Sequence, residues 1–156
     1  MKHKESELQI SCVRWFSYQY PQYRMLLYHP RNEGSASGRK ARTQQAIAKA
    51  EGVVAGVADL ILQIPTPYSS CLAIEMKTPT GKQSKEQKLF ELYIHAARGR
   101  YVVCRSIGDF QNIIRTYLSA VNKDIASAIS ATYRWQQQAE QDKAREQLRK
   151  IIAANK

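Results

Sequence analysis

Two short apolar runs, Gly56-Val-Ala-Asp-Leu-Ile-Leu62 and Leu72-Ala-Ile-Glu-Met-Lys77, decide how the rest of this chain is read. Both are rich in the aliphatic residues of buried strands. Pro65-Thr-Pro-Tyr-Ser-Ser70 between them is short enough for an antiparallel hairpin, so strands are expected over Val57 to Ile64 and Cys71 to Lys77. Each strand is broken by a carboxylate, Asp59 in the first and Glu75 in the second. A buried charge without a partner is costly or neutralises itself, so both acids require a reason to be there. Side chains alternate along a strand, which puts Glu75 and Lys77 on one face, and hairpin pairing lets Asp59 reach that same face. Two carboxylates and an ammonium then converge at one sheet edge. A cross-strand salt bridge accounts for this spacing as well as a metal-dependent catalytic site does.

Outward from the hairpin, Leu8, Cys12 and Phe16 recur at helical spacing within Glu5 to Tyr20, where Pro21 ends the run. Arg24 to His29 reads as a strand bounded by Pro30. Residues 30 to 50 read as a polar loop that turns helical around Arg42 to Glu51. Ser84 to Ala97 is a helix closed by Gly99, Tyr101 to Arg105 a buried strand, and Phe110, Ile113, Ile114, Tyr117, Leu118 and Val121 the stripe of another helix. The order is α-β-β-β-α-β-α, an α/β domain with a mixed sheet flanked by helices. Residues 134–156 hold only Leu148, Ile151 and Ile152 among their aliphatic core formers. The compact domain is therefore expected over 1–133, with a polar Gln/Lys/Arg-rich helical or flexible tail over 134–156.

A chain of 156 residues supports one domain, and 24 Lys and Arg against 13 Asp and Glu give a formal charge of +11. That excess points to a polyanion, nucleic acid first and an acidic membrane surface second. No apolar run is long enough to span a membrane and the N-terminus has no signal-peptide core, so a soluble, cytoplasmic protein is expected. Cys12, Cys71 and Cys104 form no CxxC pair, and His3, His29 and His95 show no metal-ligand spacing. The cysteines read as small core residues in a reducing compartment.

The basic residues are concentrated in two places. Arg24, Arg31, Arg39, Lys40, Arg42 and Lys49 face Glu33 alone; Lys77, Lys82, Lys85, Lys88, Arg98, Arg100 and Arg105 face Glu86 and Glu91. Lys82, Lys85 and Lys88 could line a phosphate track, and no motif for base-specific readout accompanies them. Ser84-x-x-Gln87 is also a capping box, a role compatible with Gln87 serving the site.

Gly56-Val-Ala-Asp-Leu60, Ile74-Glu-Met-Lys-Thr78, Gly81-Lys-Gln-Ser-Lys-Glu-Gln-Lys88 and Gly99-Arg-Tyr-Val-Val-Cys-Arg105 occur in order, preceded by Glu7 with Gln9 and by His29-Pro-Arg-Asn-Glu-Gly34. This series, from Glu7 to about Leu118, resembles the VRR-NUC family of the PD-(D/E)xK nuclease superfamily. The resemblance implies a restriction-endonuclease-like core and a Mg²⁺- or Mn²⁺-dependent DNA endonuclease. It makes Asp59, Glu75 and the Met76 carbonyl metal ligands and Lys77 the catalytic lysine, with Gln87 on the bracing helix. Glu7 becomes a supporting acid reaching the metal through water, although any acid near a helix N-terminus is favoured by the dipole. His29, Arg31, Asn32, Arg39, Lys40, Arg42, Lys82, Lys85 and Lys88 are the expected DNA contacts. Ala58 stands where the family commonly has Pro, which alters backbone stiffness and leaves each functional side chain in place. Small stand-alone members occur in phages and prophages, form homodimers and act on branched DNA such as Holliday junctions, implying a bacterial or phage-infected host cell. Two other readings remain: a non-catalytic nucleic-acid-binding accessory protein, and a sequence-specific restriction-type nuclease, for which the chain has little length to spare.

Overall fold

In the computed structural model, which describes residues 2–30 and 39–154, four strands form one sheet in the order β1 (Leu27–Tyr28), β2 (Leu60–Leu62), β3 (Leu72–Met76) and β4 (Arg100–Cys104). β2 pairs antiparallel with both β1 and β3, and Leu60 opposite Ile74 and Leu62 opposite Leu72 set the hairpin register. β4 runs parallel to β3. A parallel neighbour requires a crossover, supplied here by a helix over Lys85–Ala96. The helices are α1 (Lys2–Gln19), α2 (Arg39–Ala50), α3 (Lys85–Ala96), α4 (Ile107–Ser119) and α5 (Lys123–Ala154). The mixed sheet flanked by helices is the architecture expected from the sequence.

β2 and β3 are buried along their whole length. Ala73 joins Ala58, Ile61 and Tyr101 in a cluster packed by Phe90 and Ile94 of α3. By alternation, Glu75 shares that face of β3 with Ala73, while Leu72, Ile74 and Met76 turn to the other. α1 contributes buried Cys12 and Phe16, α4 contributes Phe110, Ile114 and Tyr117, and the two helices meet through an edge-on Trp15–Phe110 contact at 6.0 Å. Tyr117 Oη donates to the Ile64 carbonyl at 2.7 Å, tying α4 to the end of the hairpin.

Two strands are shorter than the apolar runs suggested. Pro21 opens a 3₁₀ turn over Pro21–Leu26, so β1 starts at Leu27, three residues beyond Arg24. Proline favours the first position of a helical turn because it has no N–H to leave unpaired. β2 starts at Leu60, which leaves Asp59 in the bend just before the strand. Gly56 precedes that bend at φ +79°, and a Cβ there would lie 2.3 Å from the Glu86 carbonyl carbon. Only glycine allows the incoming chain to sit this close to the start of α3.

Residues 1–121 form one compact unit and 122–156 a second. Tyr133, where the sequence loses its aliphatic residues, lies inside α5. α5 carries its own surface pairs at i,i+4: Gln136 to Glu140, Gln138 to Asp142 and Lys150 to Glu146. No helix among the described residues is long and apolar enough to cross a membrane.

Candidate active site

Glu75 and Lys77 end β3 on one face, and their side chains meet: Lys77 Nζ donates to Glu75 Oε1 at 2.5 Å. Glu75 is wholly buried and Lys77 nearly so. Gln87 Nε2, from the first turn of α3, donates to the same Oε1, and Tyr101 Oη from β4 donates to Oε2 at 3.3 Å. Both oxygens of Glu75 are therefore held. Asp59 reaches across the hairpin to accept the Met76 N–H on Oδ2 at 2.8 Å. Its Oδ1 has no hydrogen-bond partner among the described residues. His29 Nδ1 sits 2.5 Å from the Asp59 carbonyl oxygen. A carbonyl only accepts, so Nδ1 carries the proton, and Nε2 has no hydrogen-bond partner among the described residues.

The electrostatics follow from burial. Loss of water pushes the Glu75 carboxyl up to about 7; the Lys77 hydrogen bond opposes that, and the Asp59 charge adds to it. Asp59 is raised by burial too, against the Met76 N–H and the positive charges of Lys77 and His29. Two desolvated carboxylates facing one lysine make a centre in need of positive charge. Asp59 Oδ1, Glu75 and the Met76 carbonyl are hard oxygen donors of the kind that hold Mg²⁺ or Mn²⁺. No group of three or more His, Cys, Asp or Glu side chains suited to a metal gathers among the described residues. A cation held here would rely on that carbonyl and on water, as Mg²⁺ does in sites with one or two carboxylates.

Gln87 combines both roles considered for it. Its Oε1 accepts the Ser84 N–H at 2.9 Å and Ser84 Oγ accepts the Gln87 N–H at 3.2 Å, closing the capping box while Nε2 turns to Glu75. Glu7 is exposed, and its carboxylate has no partner among the described residues; its backbone carbonyl accepts from Ser11 Oγ. The acid of α1 that reaches the site is Glu5, whose Oε1 accepts the Thr78 N–H at 3.1 Å and whose charge pushes the Asp59 carboxyl up. Two residues turn a helix by about 200°, so both acids cannot face the sheet. The signal was present in the sequence: Glu5 is in phase with Leu8, Cys12 and Phe16, and Glu7 is not.

Lys82, Lys85 and Lys88 are exposed around the start of α3. Arg31 and Asn32 lie outside the described residues; Arg39, Lys40 and Arg42 fall in the first turn of α2 with side chains outside the described set. Arg105, counted in the sequence within the second basic concentration, has a different task. Its Nη1 donates to the carbonyls of Thr78 at 2.5 Å, Gly81 at 3.0 Å and Pro79 at 3.3 Å, clamping the loop that follows Lys77. The spacing from 78–81 to 105 carried no signal of this contact.

A family model for the VRR-NUC domain matches residues 3–107. A solved structure of a VRR_NUC domain protein superposes with a TM-score of 0.64 at 22% identity, covering 76% of this chain and 90% of that one. No curated protein matches.

Proposed function

Since the chain belongs to the VRR-NUC domain family, a family of nucleases, we propose that it is a Mg²⁺- or Mn²⁺-dependent DNA endonuclease selective for branched substrates such as Holliday junctions. The observation that carries this reading is the meeting of Asp59, Glu75, Lys77 and Gln87 at the end of the β2–β3 hairpin, with both carboxylates desolvated. Asp59, Glu75 and the Met76 carbonyl would hold the cation, which when bound supplies a polarised phosphate oxygen and a water of lowered pKa. Gln87 and Tyr101 fix the Glu75 carboxylate. Lys77, which contacts Glu75 in this structure, would orient the attacking water or offset charge developing on phosphorus. Glu5 and Arg105 hold the 78–81 loop, and with it the backbone next to Lys77. The exposed Lys82, Lys85 and Lys88 supply phosphate contacts beside that centre. A two-fold homodimer acting in the cytoplasm would present two such sites to the paired strands of a junction.

The test is cleavage of linear duplex, flap, splayed and four-way DNA with and without Mg²⁺ or Mn²⁺. Glu75→Gln and Lys77→Ala are expected to abolish cutting while DNA binding persists; undiminished cutting by either variant removes the site assignment. Binding without cutting of any structure in either metal would establish the accessory role instead.

A further inference from the structure

A groove of about 400 Å³ lies beside the site, lined by Ser6, Gln9, Ile10, Val13 and Arg14 of α1 and by His29. We propose that it seats one unpaired deoxynucleotide of the substrate strand, next to the phosphate being cut. This deepens the nuclease reading and rests on it. The five α1 residues are spaced at three, four, seven and eight from Ser6, so they share one helix face. The remaining lining residue is His29, whose Nδ1 donates to the carbonyl of Asp59. One residue thus lines the groove and braces a candidate metal ligand, which makes the groove's occupant an immediate neighbour of the reacting phosphate.

The lining fits a nucleotide part by part. Ile10 is 51% exposed, whereas Cys12 and Phe16 of the same helix are fully buried in the core. With Val13 it offers an apolar floor for the face of a base. Arg14 is exposed and has no ion pair or hydrogen bond among the described residues, which leaves its guanidinium free for a phosphate. The Gln9 amide, the Ser6 hydroxyl and His29 Nε2 are likewise unspent and able to meet sugar or base edges. No carboxylate is among the six residues, so nothing in the lining repels phosphate. The volume lies at the small end of ligand sites, roughly 300–1,000 Å³, the scale of one nucleotide.

A base inside a duplex has both faces stacked and cannot enter such a groove. A base at a branch, flap or gap is already unpaired, and an enzyme that seats it avoids much of the cost of extrusion. Selection of branched DNA would then come from this pocket without any reading of sequence.

The test uses the full chain with Ca²⁺ in place of Mg²⁺ and DNA carrying 2-aminopurine at the unpaired position beside a splayed junction, or at the matching position of a blunt duplex. The emission of the probe is expected to change on binding of the splayed DNA and not of the duplex. Ile10→Glu and Arg14→Ala are expected to remove that change and to lower the splayed-over-duplex affinity ratio about tenfold, the loss of one stacked base. An unchanged ratio in both variants overturns the proposal, as does an equal weakening of both DNAs, which would make the groove a general backbone contact. Free deoxyadenosine monophosphate is expected not to compete at concentrations where the splayed DNA saturates; if it fills the groove while DNA does not, the strand assignment fails. Because binding is read without cutting, loss of the emission signal with intact Mg²⁺-dependent cleavage refutes the groove alone. The signal with no cleavage of any substrate refutes the nuclease reading alone.

Discussion

Glu75 is held through both oxygens, by Lys77 and Gln87 on one and Tyr101 on the other, in a position without solvent. Its carboxyl, pushed to about 7 from an ordinary 4.5, keeps in the folded state a proton that the unfolded chain releases. The contribution to stability is therefore full below about 4.5 and is lost as pH rises through about 7, by at most roughly 3 kcal/mol. Urea titrations of the metal-free protein at pH 5 and pH 8, compared with Glu75→Gln, measure it. The wild type should lose more stability than the variant on going to pH 8, and Mg²⁺ should return part of that loss. An equal loss in both proteins would place the titrating group elsewhere. A second comparison separates the two acids of α1: Glu5→Ala, which deprives the Thr78 N–H of its acceptor, should slow cleavage about tenfold, whereas Glu7→Ala should leave the rate within twofold. Asp59, Glu75 and Lys77 were legible in the sequence because charges interrupt apolar strands. Gln87 was legible as half of a capping box and, through the family resemblance, as a residue serving the site; its contact with Glu75, which crosses from a helix to a strand, was not.

At the scale of elements, the succession of strands and helices and the mixed sheet followed from alternating runs of strand and helix character, whereas the parallel pairing of β4 with β3 did not. Strand lengths did not, because Pro21 redirects the chain into a 3₁₀ turn and the Gly56 bend delays β2 until Leu60. Such choices are made by backbone geometry and close approach, which hydrophobic pattern does not encode. The 78–81 loop is the clearest case. Glu5 holds its first N–H, Arg105 holds three of its carbonyls, and a Cβ on Gly81 would come within 2.9 Å of Thr78 Oγ1 and 3.3 Å of Lys77 Cδ. Arg105→Ala should therefore lower kcat about tenfold or more with little change in KM, because a misplaced lysine is felt in the transition state while phosphate contacts elsewhere persist. Lys82→Ala should do the reverse. A loss confined to KM in Arg105→Ala would return this arginine to the DNA-binding surface.

Over the whole molecule, the +11 charge is divided between work inside and outside the domain. Lys77 and Arg105 are committed to the site, so the count of bases overstates the charge available to DNA. Every residue placed in the candidate site, from Glu5 to Arg105, lies within the unit formed by residues 1–121. A chain ending at Val121 should therefore unfold cooperatively and keep metal-dependent cleavage of whichever DNA the full chain cuts. Thermal unfolding and a cleavage assay on the same preparation check this, and loss of both would assign α5 a structural part in the nuclease unit.

Gln87 closes the first turn of α3 with one end of its amide and holds Glu75 with the other. The two attachments share one side chain, so fraying at the start of α3 also removes one of the three hydrogen bonds that hold Glu75. The outward face of that helix, with Leu89, Leu92 and Tyr93 exposed, is then mechanically linked to the candidate site. Whatever stiffens α3 from outside steadies the carboxylate within.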